Sequence, residues 1–149
     1  HRRRPDPMVL GRARRTADAL LDAMSPDGFL AGRFRNDWSP AVGWSCLTGS
    51  VQIASCWFIL SEMTGEDRYR DAAFLANRYV RRTMRTDGVG EIDGGVKGAF
   101  PFHGGYGAYE YVNWACKFMI DANLQELEIP PSVPSSQPWD RLSSAETRG

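Results

Sequence analysis

An all-α protein built of antiparallel helical hairpins is predicted by three observations. Four segments carry apolar residues at helical spacing. No alternating apolar-polar run of convincing strand length appears between them. The loops that join them repeat a set of residues in the same order. At 149 residues the chain is one domain by length and large enough to bury a core.

The first helix is expected over Met8 to Met24, where Leu10, Ala13, Ala17, Leu20, Leu21 and Met24 recur on one side. Ahead of it, "HRRRPDP" holds Arg2, Arg3 and Arg4, and residues 1–7 read as a flexible, solvated basic terminus. The second helix, Trp44 to Thr64, is apolar nearly all round (Leu47, Val51, Ile53, Ala54, Trp57, Phe58, Ile59, Leu60), so it is buried on most sides. Its polar positions, Thr48 and Gln52, either line a cleft or bond a neighbouring loop.

The third helix, Asp67 to Arg85, is two-faced. Tyr69, Ala72, Ala73, Ala76, Tyr79 and Val80 oppose Arg68, Arg70, Arg78, Arg81 and Arg82, and the arginine face belongs in solvent. Between these two helices, "MTGEDRY" supplies Gly65 as a stop and Glu66-Asp67 as an acidic start, which makes the pair a tight antiparallel hairpin. The fourth helix runs from Asn113, a candidate N-cap, to Glu128. Residues 129–149, with four prolines and five serines, read as a disordered tail. The α-hairpin domain is therefore 8–128.

The repeat lies in the loops. "MSPDGFLAGRF" follows the first helix and "MRTDGVGEIDGGVKGAF" the third. Each begins at a helix-terminal Met (Met24, Met84), passes Asp-Gly (Asp27-Gly28, Asp87-Gly88) and reaches Gly-x-Phe (Gly32 to Phe34, Gly98 to Phe100). Each leads to Trp-x-Cys (Trp44 to Cys46, Trp114 to Cys116). Met to Met is 60 residues and Cys to Cys is 70, because the second loop carries ten more. Helix-loop-helix units of this kind stack on neighbours, with helices two and four inside and one and three outside.

Composition narrows function by exclusion. Net charge is zero, so no overall field points to nucleic acid. No run of eighteen apolar residues provides a membrane span, and a cytoplasmic location is expected. Cys46, Cys56 and Cys116 have no CxxC spacing and read as reduced, buried thiols. No metal site is expected without a His/Cys cluster. No cofactor is expected either, since "GVGEIDGGVKG" lacks the lysine-serine end of a phosphate-binding loop.

"CLTGSVQIASCWFILSEMTGEDRYRDAAFLANRYV" resembles a hairpin of the six-hairpin α/α toroids, in which Leu-Thr-Gly-x-x-Gln opens an inner helix and a Thr-Gly-Asp-like turn precedes an alanine-rich outer helix. "GGVKGAFPFHGGYGAYEYVNWACKF" resembles the final inner loop and helix of bacterial toroid proteins associated with exopolysaccharide production. The likeness covers about residues 25 to 128. The group includes glycosidases, polysaccharide lyases and uronyl epimerases, together with prenyltransferase and terpene-cyclase toroids. A closed toroid takes roughly twelve helices and this chain supplies four, which implies a partial or half toroid. Its remaining hairpins would come from a longer chain or from a homo-oligomer.

That second stretch, residues 94 to 118, holds six glycines and seven aromatics. It reads as an ordered loop whose rings stack either on the protein or on a ligand. Sugars bind aromatic faces, and carboxyls supply acid and base at separations of roughly 5 to 10 Å. The candidate catalytic groups are Glu91, Asp93, Glu110 and His103. The candidate substrate contacts are Lys97, Tyr106, Tyr109 and Tyr111, with Arg35, Asp37 and Trp38 from the first loop; Arg33 and Arg35 suit an acidic sugar. Tyr106, Tyr109 and Trp38 are expected to present rings to one cleft. Phe100 and Trp114 recur as Phe34 and Trp44 and are expected to pack.

Three functions stay open. Convergent acids would make the protein a hydrolase, lyase or epimerase acting on a polysaccharide. Rings without convergent acids would make it a glycan-binding or assembly module. A dry apolar cavity would suit the prenyl or terpene type, against which the absence of an aspartate-rich motif counts.

Overall fold

In the computed structural model, which describes residues 6–88 and 90–129, four helices run alternately up and down. Residues 1–5 of the basic terminus and 130–149 of the Pro/Ser-rich tail lie outside the described residues. Helix α1, Pro7–Asp22, starts inside the segment read as a flexible terminus. Asp6 caps it by accepting the amides of Met8 (2.9 Å) and Val9 (3.3 Å), and Pro7 sits where no amide is needed.

Helix α2, Leu47–Thr64, begins three residues later than its apolar pattern. The reason is tertiary. Strand β1, Ser45–Cys46, pairs antiparallel with β2, Ala99–Phe100, placing Ser45 opposite Phe100 and Cys46 opposite Ala99. A partner more than fifty residues away thus takes the backbone groups that a helical turn would have used. Cys46 becomes the N-cap, its Sγ accepting the Gly49 amide at 3.4 Å. Gly65, at φ 72°, ends α2 in the left-handed conformation that its lack of a Cβ allows.

Helix α3 spans Asp67–Thr83 and helix α4 spans Asn113–Glu128. The N-cap of α4 is Val112, and Asn113 is the first helical residue, so the cap expected from sequence is displaced by one position. Among the described residues, strand content is confined to the two-residue ladder and the isolated bridges Phe34–Pro40 and Lys97–Tyr111.

Helix α2 is the centre of the core. Leu47, Val51, Ala54 and Trp57 are fully buried. The Trp57 indole donates to the Ala17 carbonyl of α1 at 3.2 Å, so its one polar atom is satisfied inside an apolar cluster. Ala72, Ala73 and Ala76 of α3 face that cluster, their short side chains letting α3 lie close along α2. A second cluster joins Leu47 and Val51 to Val80, Val96, Ala115, Met119 and Ala122.

The arginine face of α3 is only partly in solvent. Arg78 and Arg82 are exposed. Arg81, at the edge nearest α4, forks onto Glu126 with bonds of 2.8 and 2.9 Å and also reaches Asn123. Arg68 bonds Glu66 and Asp18, both at 2.8 Å, with its guanidinium over the Tyr69 ring. These side chains tie helices together where the sequence pattern showed only a charged stripe.

Helices α2 and α4 start at the same end. The Leu47 amide donates to Gly98 O and the Val112 amide to Val96 O, each at 3.1 Å. Their opposite ends flank a cavity of about 550 Å³ lined by Phe58, Glu62, Arg70 and Gln125. The long loops therefore gather at one end of the helices. Among the cysteines, Cys46 and Cys116 are half-buried and Cys56 is exposed, so the expectation of three buried thiols fails for Cys56. It shares with Gln52 the stripe of α2 that faces neither α3 nor α4.

Candidate aromatic loop site

The first loop (residues 23–46) and the second (84–112) are joined by one indole. A Cβ on Gly32 of the first loop would lie 2.1 Å from the Trp44 ring, and one on Gly104 of the second would lie 3.0 Å from its Cβ and Cγ. Both backbones press on Trp44, and the Arg33 guanidinium lies 5.6 Å from the ring centre. Gly98 passes so near Tyr106 O that a Cβ there would be 2.5 Å away. The glycine content of the second loop is thus used for close backbone packing.

The rings fall into small groups. Phe102 is a hub, 5.7 Å from Tyr109 and 5.5 Å from Tyr111. Lys97 places its ammonium 5.8 Å from the Phe102 ring and 5.9 Å from Phe100, and donates to Thr83 O at 2.8 Å, pinning the loop to the end of α3. Tyr106 is half-buried and its hydroxyl accepts from the Trp114 indole at 2.9 Å. In the first loop Phe34 and Trp38 pair at 6.3 Å.

Two expectations about these rings are corrected. Phe100 meets the Tyr79 ring edge-on at 6.4 Å but is 39% exposed, and Trp114 is 50% exposed, so the first packs only in part and the second mainly faces solvent. Trp44 precedes α2 and is held between the loops, whereas Trp114 lies inside the first turn of α4. The same Trp-x-Cys motif lands on a different face.

Tyr109, at 70% exposure, and Trp38, at 39%, share a rarer property. Among the described residues they are the two non-glycines with left-handed backbone, at φ 62° and 64°. Such a conformation costs an L-residue about 1 kcal/mol or more, so two exposed rings are held in strained backbone, one in each loop. The Tyr109 amide is fixed to Phe102 O at 2.8 Å and the Trp38 amide to Arg35 O at 3.0 Å.

The polar candidates are held in local turns or exposed. Arg35 donates to Pro40 O and to Ser39 Oγ. Asp37 accepts the Ser39 hydroxyl at 2.6 Å and its amide at 3.0 Å, contacts that hold its carboxyl below the usual aspartate range. Arg35 and Asp37 thereby build the turn that carries Trp38. Asp93 accepts the Gly88 amide at 3.1 Å. Glu91, His103 and Glu110 are exposed, and the Glu110 backbone pairs with Gly98 and Gly107. Thr48 is buried with no partner for its hydroxyl, and Gln52 is exposed.

Two depressions lie away from these residues. One is the 550 Å³ cavity at the far end, and the other is a groove of about 520 Å³ between α1 and α2. Sequence reasoning missed Trp44 and Phe102 as the hubs of the loop end. For Trp44 the signal was present, since glycines of both loops leave room for its ring.

No group of three His, Cys, Asp or Glu able to hold a metal occurs among the described residues, and no helix there is long and apolar enough to cross a membrane. Compared with known proteins, the chain matches no family model, no curated protein and no solved structure.

Proposed function

We propose that the loop end is a glycan-binding surface for a polysaccharide, carried on helical hairpins that form part of an α/α toroid or half-toroid. The observation that carries the reading is the pair of exposed aromatic rings, Trp38 and Tyr109, each held in left-handed backbone. Strain of that kind is retained where the surrounding structure imposes it, and it gathers at ligand sites. An open ring presents a flat apolar face that sugar C–H groups cover. Binding is favoured over hydrolysis, elimination or epimerisation because Asp37 and Asp93 serve their own turns and Glu91 and Glu110 are exposed.

The experiment is affinity electrophoresis through gels containing neutral and acidic polysaccharides. Wild-type chain is retarded by at least one of them. Trp38→Ala and Tyr109→Ala each weaken retention by about fivefold, or ~1 kcal/mol, as truncation of an aromatic anchor does. Melting temperatures stay within about 2 °C, as for surface changes. Passage of wild type through every gel without retardation would sink the reading, as would unchanged retention of the double variant.

A further inference from the structure

Helix α4 buries Ala115, Met119 and Ala122 against α2 and leaves Ile120, Leu124 and Leu127 in solvent at 59%, 56% and 80% exposure. Displaced by the 70 residues that separate Cys46 from Cys116, these three correspond to Ser50, Ala54 and Trp57, which are all buried. Helix α1 is uncovered in the complementary way. Displaced by the 60 residues between Met24 and Met84, its exposed Val9, Ala13 and Thr16 correspond to Tyr69, Ala73 and Ala76 of α3, fully buried where α3 meets α2. One chain thus carries, unfilled, both halves of a contact that it already makes internally between α2 and α3.

We propose that a second copy of this chain fills them head to tail. The α4 stripe of one copy lies in the groove between α1 and α2 of the next, where Val9, Ala13, Ile53, Cys56 and Met63 form an apolar floor. Charge complements shape. With α1 of the second copy antiparallel to α4, exposed Arg12 in its first half meets exposed Glu128 at the carboxyl end of α4, where the helix dipole is also negative. A heterologous contact of this kind continues until it closes into a ring or runs on as a filament. The inference rests on the hairpin-repeat reading and is independent of glycan binding.

Sedimentation equilibrium over a concentration series tests it. Wild type rises above monomer mass with concentration. Leu124→Glu, which blocks the stripe, and Ala13→Glu, which blocks the groove, are each monomeric with unchanged helical circular dichroism, because both positions are exposed. An equimolar mixture of the two regains a dimer and stops there, since each variant keeps the half that the other lacks. If either variant misfolds, Leu127→Lys and Thr16→Glu replace it. A wild type that stays monomeric throughout overturns the proposal, leaving the polysaccharide gels to judge the glycan reading alone. A groove variant that still dimerises overturns it too, by showing α4 paired with α4.

Discussion

The two long loops meet at the same end of the helices and share Trp44, yet they are shaped by different chemistry. In the first loop, aspartates fold the chain. Asp27 accepts the Ser25 hydroxyl and the Phe29 amide, and Asp37 does the same with Ser39. In the second, glycines let backbone run against backbone, as where Gly98 passes Tyr106 O and bonds Glu110 O. Side-chain acceptors fix a turn through charge, which protonation can undo. Close packing fixes it through volume, which any added methyl disturbs. The two loops share both devices, since Gly28 and Gly32 of the first are also closely packed and Asp93 of the second accepts the Gly88 amide, but they lean on them in different proportion.

The largest effect is expected where that division ends. Trp44→Ala removes the ring on which Gly32 and Gly104 both rest, and it should cost about 3 kcal/mol, the usual range for an emptied aromatic site. Both loops should loosen together in amide exchange. Next in size, Gly98→Ala should cost about 2 kcal/mol, because its methyl would meet backbone atoms at 2.5 and 2.9 Å. Gly43→Ala in the first loop meets nothing within 4 Å and should change stability by less than about 0.5 kcal/mol. Urea denaturation of the pair measures the contrast. Equal losses would show that the first loop is packed as tightly as the second.

Acid acts on the other side of the comparison. The carboxyls of Asp27 and Asp37 are each held below the ordinary value of 3.8, first by a serine hydroxyl and next by a backbone amide. A depressed folded value means that their contribution is present above 3.8 and is lost as pH falls through the lower, folded value. The amide resonances of Phe29 and Ser39 should therefore shift below pH 3.8, ahead of those of Gly98 and Val112. Simultaneous movement of all four would tie the two loops into one acid-sensitive unit.

Helix positions were legible in sequence because apolar periodicity reports burial along a single element. All four helices occur close to their expected spans. What escaped was set by contacts between distant residues. The late start of α2 needs Ala99 and Phe100 as partners, and the exposure of Trp114 follows from its lying inside α4 while Trp44 lies before α2. The exposed rings Trp38 and Tyr109 were legible as candidates from composition. Their left-handed backbone was not, since neither residue type signals it. The candidate acids could be named but not placed, for spacing along a glycine-rich loop fixes no distance in space.

A small change in stability is also expected at the position that best separates ring from backbone. Tyr109→Ala deletes the ring but keeps a Cβ at φ 62°, whereas Tyr109→Gly deletes both the ring and the steric cost of that conformation. Both variants lose the edge contact with Phe102, and because Tyr109 is 70% exposed little burial goes with it. The two variants therefore differ from each other only in that Cβ. Tyr109→Gly should be the more stable of the pair by about 1 kcal/mol and lie within about 0.5 kcal/mol of wild type. Polysaccharide retention should fall equally in both, since the ring alone makes the contact. If the glycine variant instead melts well below wild type, the ring is holding the loop together, and its exposure has no bearing on a ligand.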